Sequence, residues 1–388
     1  MLDWKIGVEC ELLAPRGLTR RDYAERLAAD CGGSVRRVLF PQSEPSLVPG
    51  TPVFYNLVLG FDVYDTSGQR IARCVDDLTI QADLDREAPS RPGWFRVLSD
   101  DARLLRLLER HGDPDAALDV LLDPVGELFG TSPTTDDGTI YRLADASNAS
   151  LMLAATLPGE RERPCELISE PISSDHRATL KRLLAPAHGL GFLVPQEAAV
   201  HIHFDAVRIR HAPVFRRLVK LVSRFGPELR QLVETNLRCV RLGPPPAGLA
   251  AIVDAPDFNG LDWQTVLARL SEIEFSKYVD FNLLNVVADV PGKATLEVRI
   301  LPGSMDSDLI IDQACLFAAI LDHCRQPDAA AAEFAEAGQF AAFIAALDFE
   351  PDAKNRWTER LSALPPIEIS RPSRLQRLAQ RLSSGSDR

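Results

Sequence analysis

The sequence predicts an α+β protein whose strands pair antiparallel, and three observations carry that reading. Apolar and polar residues alternate with period two in KIGVECELL (5–13), VHIHFD (200–205) and TLEVRIL (295–301), the pattern of strands with one buried face. FYNLVLGFDVYDTSGQRIARCV (54–75) reads as two strands joined by the turn residues Asp65, Ser67 and Gly68, a connection short enough only for antiparallel neighbours. Between these stand separate segments with helical spacing, clearest in VFRRLVKLVSRFGPELRQLVE (214–234).

In chain order, a strand over about 5–13 is followed by a helix that Thr19 caps and that ends at Cys31, before Gly32 and Gly33. After the 54–75 hairpin, DDARLLRLLERHG (100–112) and AALDVLLDPVGELFG read as helical, and TSPTTDDG as a loop. Strands return from Gly138 to about Pro171, and Arg177 to Ala187 reads as a helix. Beyond 214–234 come the loop LGPPPAG, a helix near 262–274, strands at FNLLNVV and TLEVRIL, and a buried helix over 307–324. An Ala-rich helical segment, a Pro-Pro linker and a basic tail finish the chain.

Composition removes several classes of function. A net charge of −12 and a pI near 5.2 do not supply the basic footprint of a nucleic-acid binder. Seven cysteines without CxxC or CxxH spacing, with Cys10, Cys165, Cys239 and Cys315 in apolar runs, read as reduced thiols of a cytoplasmic protein rather than a zinc or disulfide scaffold. The acidic residues of MLDWKIGVECELL exclude a signal peptide there, and no apolar stretch is long enough to cross a bilayer.

The chemistry lies on the polar faces of the alternating strands: Glu9 and Glu11, His201 and His203 with Asp205, and Glu297 with Arg299. CELISEPI adds Glu166 and Glu170 before Pro171. Singly these are ordinary, since an ExE is commonly the wet face of a sheet and an ExR a surface ion pair of little energetic weight. Solvated faces also draw on Lys, Thr, Ser and Gln. Here the set is carboxylate, imidazole and guanidinium, the ligands of hard divalent cations together with a phosphate clamp. Residues two apart on a strand are separated by roughly 6.5 Å, and metal ions that work in pairs by about 3.5–4 Å, so an i, i+2 carboxylate pair can serve one ion or two.

GVECELL, CELISEPI, HIHFD, KYVDFN and TLEVRILPGSMD, in this order, resemble the blocks of the amidoligase family, carboxylate–amine ligases of the glutamine synthetase-like superfamily. The resemblance runs to about residue 312. It implies a curved antiparallel sheet with helices on its outer face, holding ATP and magnesium or manganese. It implies Glu9, Glu11, Glu166, His201 and Glu297 as metal ligands, with His203, Asn282, Lys277, Ser169 and Arg299 toward the nucleotide. Arg299 and Glu297 would be catalytic, and Glu170 or Asp205 would take the amine proton. DASNAS (145–150) resembles the turn before the second block, making Asp145 and Ser147 weaker candidates. The resemblance further implies a catalytic domain over 1–325, with about 35–130 a family-variable insertion suited to substrate recognition, and a helical extension with a basic tail over 326–388. The expected partners are a small-molecule or peptide carboxylate and an amine, with no nucleic acid or membrane, and homo-oligomers are common among such proteins. The lack of a Walker loop or GxGxxG agrees. Two alternatives are a non-catalytic nucleotide or partner binder, which has no need of the whole charged set, and a metal-dependent hydrolase, whose sites lean on histidine rather than glutamate.

Overall fold

The computed structural model describes residues 2–45, 53–239, 241–288, 294–326 and 339–364. Among them are eleven strands: β1 (Ile6–Leu13), β2 (Ser34–Pro45), β3 (Val53–Tyr64), β4 (Arg70–Val75), β5 (Phe95–Ser99), β6 (Ile140–Ala144), β7 (Ser150–Thr156), β8 (Pro164–Ser169), β9 (Ala199–Asp205), β10 (Phe281–Asn282) and β11 (Thr295–Pro302). The protein is α+β, and its chain divides into two compact units. One is Gly7–Val200 with Gly303–Asp308; the other is Met1–Ile6, His201–Pro302 and Leu309–Arg388. The division passes through β1 and β9.

The unit beginning at Gly7 is organised around the long β2–β3 hairpin, paired residue for residue from Ser34↔Tyr64 to Pro45↔Val53. With β2 on one edge of β3, the other edge takes β4 along Phe61–Tyr64 and β5 along Tyr55–Val58. The open antiparallel sheet therefore has two wings. One continues from β4 to β8 and β1, the other from β5 to β7 and β6. In β1 the side chains of Val8, Cys10 and Leu12 are fully buried on one face, each larger one contributing about 1.5–3 kcal/mol. The helix Arg20–Cys31 packs against β3 and β4. Its N-terminus is a capping box, in which the Thr19 hydroxyl accepts from Arg21 and Asp22 N–H groups and Asp22 accepts from Thr19 N–H. Tyr23 ties it to the helix His176–Leu190 by donating to the Leu183 carbonyl at 2.8 Å. Arg20, fully buried, donates to the carbonyls of Leu59, Arg161 and Pro164, lies 3.9 Å from Asp76 and stacks 4.5 Å over Trp94. Asp76 is in turn held by Arg161 at 2.5 Å.

In the other unit β11 is flanked by β10 and β9. Phe281 of β10 meets Phe317 of the helix Ser307–Arg325 at 5.9 Å, and Phe204 of β9 meets Trp4 edge-on at the same separation. Phe225, in the helix Ala212–Leu232, packs on Phe340 and Phe343 of the helix Gln339–Ala346. The helix Pro351–Ala363 adds an Arg360–Glu234 ion pair at 2.8 Å. Asp280 is the internal clamp. Its carboxylate receives Arg230 and Gly243 N–H, and its carbonyl receives Arg299 N–H at 3.0 Å.

Two expectations change. FNLLNVV is not a strand throughout: β10 stops at Asn282, whose side-chain oxygen accepts from Leu284 N–H at 2.9 Å and turns the chain into the short helix Leu284–Val287. The helix expected near 262–274 is Trp263–Leu270. The Pro-Pro linker, the basic tail and residues 327–338 of the Ala-rich segment lie outside the described residues. No helix of the described residues is long and apolar enough to cross a membrane.

Candidate active site

The candidate residues fall into two groups, one in each unit. In the unit beginning at Gly7, the β1–β8 register sets Glu9 opposite Ile168, Cys10 opposite Leu167 and Glu11 opposite Glu166. Directly opposed antiparallel residues share a face, so the face that carries Glu9 and Glu11 also carries Glu166, and Cys10 lies on the other. Glu11 is only 5% exposed. Its Oε2 accepts from Ala199 N–H at 2.7 Å, and it and Glu166 bring carboxylate oxygens within 4.8 Å of each other. The Cys10 thiol registers the arrangement: burial first, then the charges of Glu11, Glu9 and Glu166, push its pKa well above the ordinary thiol range. Opposed like charges oppose folding. An all-oxygen carboxylate set of this kind fits a hard divalent cation.

The second group is built on β11. Glu297 and Arg299, 5% and 9% exposed, are on one face of the strand. The β10–β11 register places Asn282 opposite Glu297, and Asn282 Nδ2 donates to Glu297 Oε2 at 2.6 Å. Arg299 Nη1 donates to Glu297 Oε1 at 2.5 Å. His201 Nδ1 stands 3.5 Å and His203 Nε2 4.0 Å from the same Oε1. His203 Nδ1 lies 3.5 Å from the Thr295 hydroxyl. The HxH and ExR motifs, far apart in sequence, thus meet around the Glu297 carboxylate. This burial excludes the solvent-exposed ion pair that an ExR motif ordinarily makes. His201 is two residues along β9 from Ala199, whose N–H holds Glu11.

The remaining candidates are placed differently. Ser169 lies on the face opposite Glu166, where its hydroxyl accepts from Val8 N–H at 2.9 Å and closes the β1–β8 ladder. Glu170 is half-exposed and bound by Arg70 Nε at 2.5 Å. Lys277 Nζ rests 5.4 Å over the ring of Tyr278, which Arg241 also flanks. Asp205 caps the short turn Ala206–Arg208. Asp145 and Ser147 form the β6–β7 hairpin turn, with the Asp145 carboxylate accepting from Ser147 and Ala149. That turn belongs to the β5–β7–β6 wing, not to the wing of Glu9 and Glu166. Sequence reasoning passed over Asp62, Arg70 and Arg73, which line the face of Glu9 and Glu166; the signal was two arginines in the strand RIARCV.

Comparison with known proteins bears on these motifs. A search of curated proteins returns no match. The model of the family described as "Putative amidoligase enzyme" matches residues 2–242, which takes in β1, β8 and β9 and stops before Asn282, Glu297 and Arg299. That match spans more than half of the 388 residues, and the chain belongs to the amidoligase enzyme family.

Proposed function

We propose that the protein is an ATP- and magnesium-dependent carboxylate–amine ligase of glutamine synthetase-like fold that forms an amide or peptide bond and releases ADP and phosphate. Family membership supports a ligase. The observation that carries the finer reading is the in-register Glu11–Glu166 pair, two carboxylates on one face with oxygens within 4.8 Å, whose repulsion a bound divalent cation would offset.

A carboxylate is a poor electrophile and repels nucleophiles, so it must be activated. In the proposed reaction an acid's carboxylate oxygen attacks the γ-phosphorus of ATP, and the β–γ bridging bond breaks to release ADP, leaving an acyl phosphate. The amine nitrogen then attacks the acyl carbon, the C–O bond to phosphate breaks, and the amine's proton passes to a base. The chemistry that magnesium would supply there is positive charge against the phosphate oxygens. In the unit beginning at Gly7, Glu9, Glu11 and Glu166 would hold the ion; in the other unit, His201 and Glu297 offer an imidazole and a carboxylate as ligands. The Arg299 guanidinium, fixed by Glu297, would stabilise charge on the moving phosphoryl group, and Asn282 holds the other oxygen of Glu297. Glu170, which Arg70 binds, or Asp205 would take the amine proton. A 31P NMR screen of acid and amine pairs tests the scheme: ADP and orthophosphate are expected, and AMP with pyrophosphate would move the protein to an adenylating class.

A further inference from the structure

The face that carries Glu9, Glu11 and Glu166 does not end with them. Across the central strand β8, the registers run Glu9↔Ile168↔Arg73 and Glu11↔Glu166↔Val75, and β3 then sets Asp62 against Arg73 and Arg36 against Asp62. Two strand spacings of about 4.8 Å place the Arg73 backbone roughly 10 Å from that of Glu9. The face is therefore segregated, with three carboxylates on β1 and β8 and three guanidiniums, Arg36, Arg70 and Arg73, around one buried carboxylate on β4, β3 and β2.

The two β4 arginines are held in place. Arg73 binds both Asp62 oxygens through Nε and Nη2 and lies 5.3 Å over the Phe40 ring. Arg70 reaches the same Asp62 at 3.3 Å through Nη1 and Glu170 at 2.5 Å through Nε. Asp62 is 3% exposed. Burial alone would raise its pKa, but the bonds and charges of Arg73 and Arg70 outweigh that and hold it below the ordinary value, so the carboxylate is charged and anchors both. Among the described residues, Arg73 Nη1 and Arg70 Nη2 take part in no hydrogen bond to the protein, and the two side chains are 23% and 37% exposed. A guanidinium braced by a carboxylate on one edge offers its other N–H groups already oriented, which lowers the entropy lost on binding an anion.

We infer that Arg70 and Arg73 form a subsite for a second carboxylate of the acid substrate, whose reacting carboxylate lies at the Glu9, Glu11 and Glu166 end of the same face. The separation of roughly 10 Å is the length of an extended tripeptide, so the substrate class is a long diacid or a short peptide with two carboxylates. This rests on the ligase reading for the reacting end, but the arginine end can be tested apart from it. The test uses the full chain and isothermal titration with suberate and with octanoate, each with and without magnesium and a non-hydrolysable ATP analogue. Suberate is expected to bind about tenfold or more tighter than octanoate, the worth of one charged hydrogen-bonded pair. Arg73→Gln should erase that preference and leave nucleotide binding unchanged. Arg70→Gln, at a half-exposed position that does not threaten folding, should reduce it several-fold. Equal affinity for the two acids, or a preference that survives both substitutions, overturns the subsite and shows a purely structural network. Absence of nucleotide binding would count against the ligase reading alone, because the diacid preference is also measured without nucleotide.

Discussion

Replacing Glu11 by glutamine should stabilise the metal-free protein, the reverse of what removing a buried, hydrogen-bonded residue ordinarily does. Glu11 and Glu166 are opposed in register with carboxylate oxygens within 4.8 Å. At an effective dielectric of about 20 their repulsion is about 3.5 kcal/mol, and the partial exposure of Glu166 reduces this by roughly half. Glutamine keeps an acceptor for Ala199 N–H but makes a neutral bond in place of a charged one, a loss of about 1 kcal/mol. The balance leaves the variant about 1 kcal/mol more stable, a rise in Tm of about 1 °C for a chain of 388 residues. Magnesium at ten times its dissociation constant would add about 1.4 kcal/mol to the wild type, and much less to the variant. Thermal melts in chelator and in millimolar magnesium read both effects. A variant that melts well below the wild type in chelator, or that gains as much from magnesium, would refute the reasoning.

Other expectations follow from single contacts. Arg299→Lys keeps the charge but loses the planar fork, so kcat and kcat/KM should fall together by about 10²-fold with the KM for ATP little changed; steady-state kinetics decide this, and near-normal turnover would leave Arg299 a structural partner of Glu297. Arg20→Met leaves Asp76 to Arg161 alone and strips the Leu59, Arg161 and Pro164 carbonyls of the donors that the buried Arg20 supplies, so urea unfolding should show a loss of about 3–5 kcal/mol. His323 has its pKa lowered by burial, then by Arg217. Its folded pKa lies below its unfolded one, so its contribution is full above the ordinary value near 6.5 and is lost as pH falls through that value toward the folded one. Wild type should lose stability below about pH 6.5 relative to His323→Phe, and a pH-independent difference would contradict this.

How far the sequence revealed the molecule depended on the range of the interactions involved. β1, β9 and β11 were legible because period-two alternation is local, and so was the Thr19-capped helix, whose signals lie within four residues. Local signals failed at FNLLNVV: its β-branched and apolar residues suit a strand, but the side chain of Asn282 bonds to Leu284 N–H and turns the chain. That His201 and Glu297 belong to one site was an implication of the family resemblance and not of any local signal. The Arg73 row was not legible, because it depends on the pairing of β4 with β8 across more than 90 residues and on which face each strand presents. Ser169 shows the same limit, since one residue of register separates the face of Glu166 from the face of Leu167.

The central claim is that this charged set serves magnesium and ATP, and calorimetry tests it most directly. Titration of a non-hydrolysable ATP analogue into the full chain should give saturable binding that requires magnesium and that weakens about tenfold or more when Glu11 is replaced by glutamine, each tenfold step being about 1.4 kcal/mol. Binding that is indifferent to magnesium and to Glu11→Gln, or no binding at all, would contradict it.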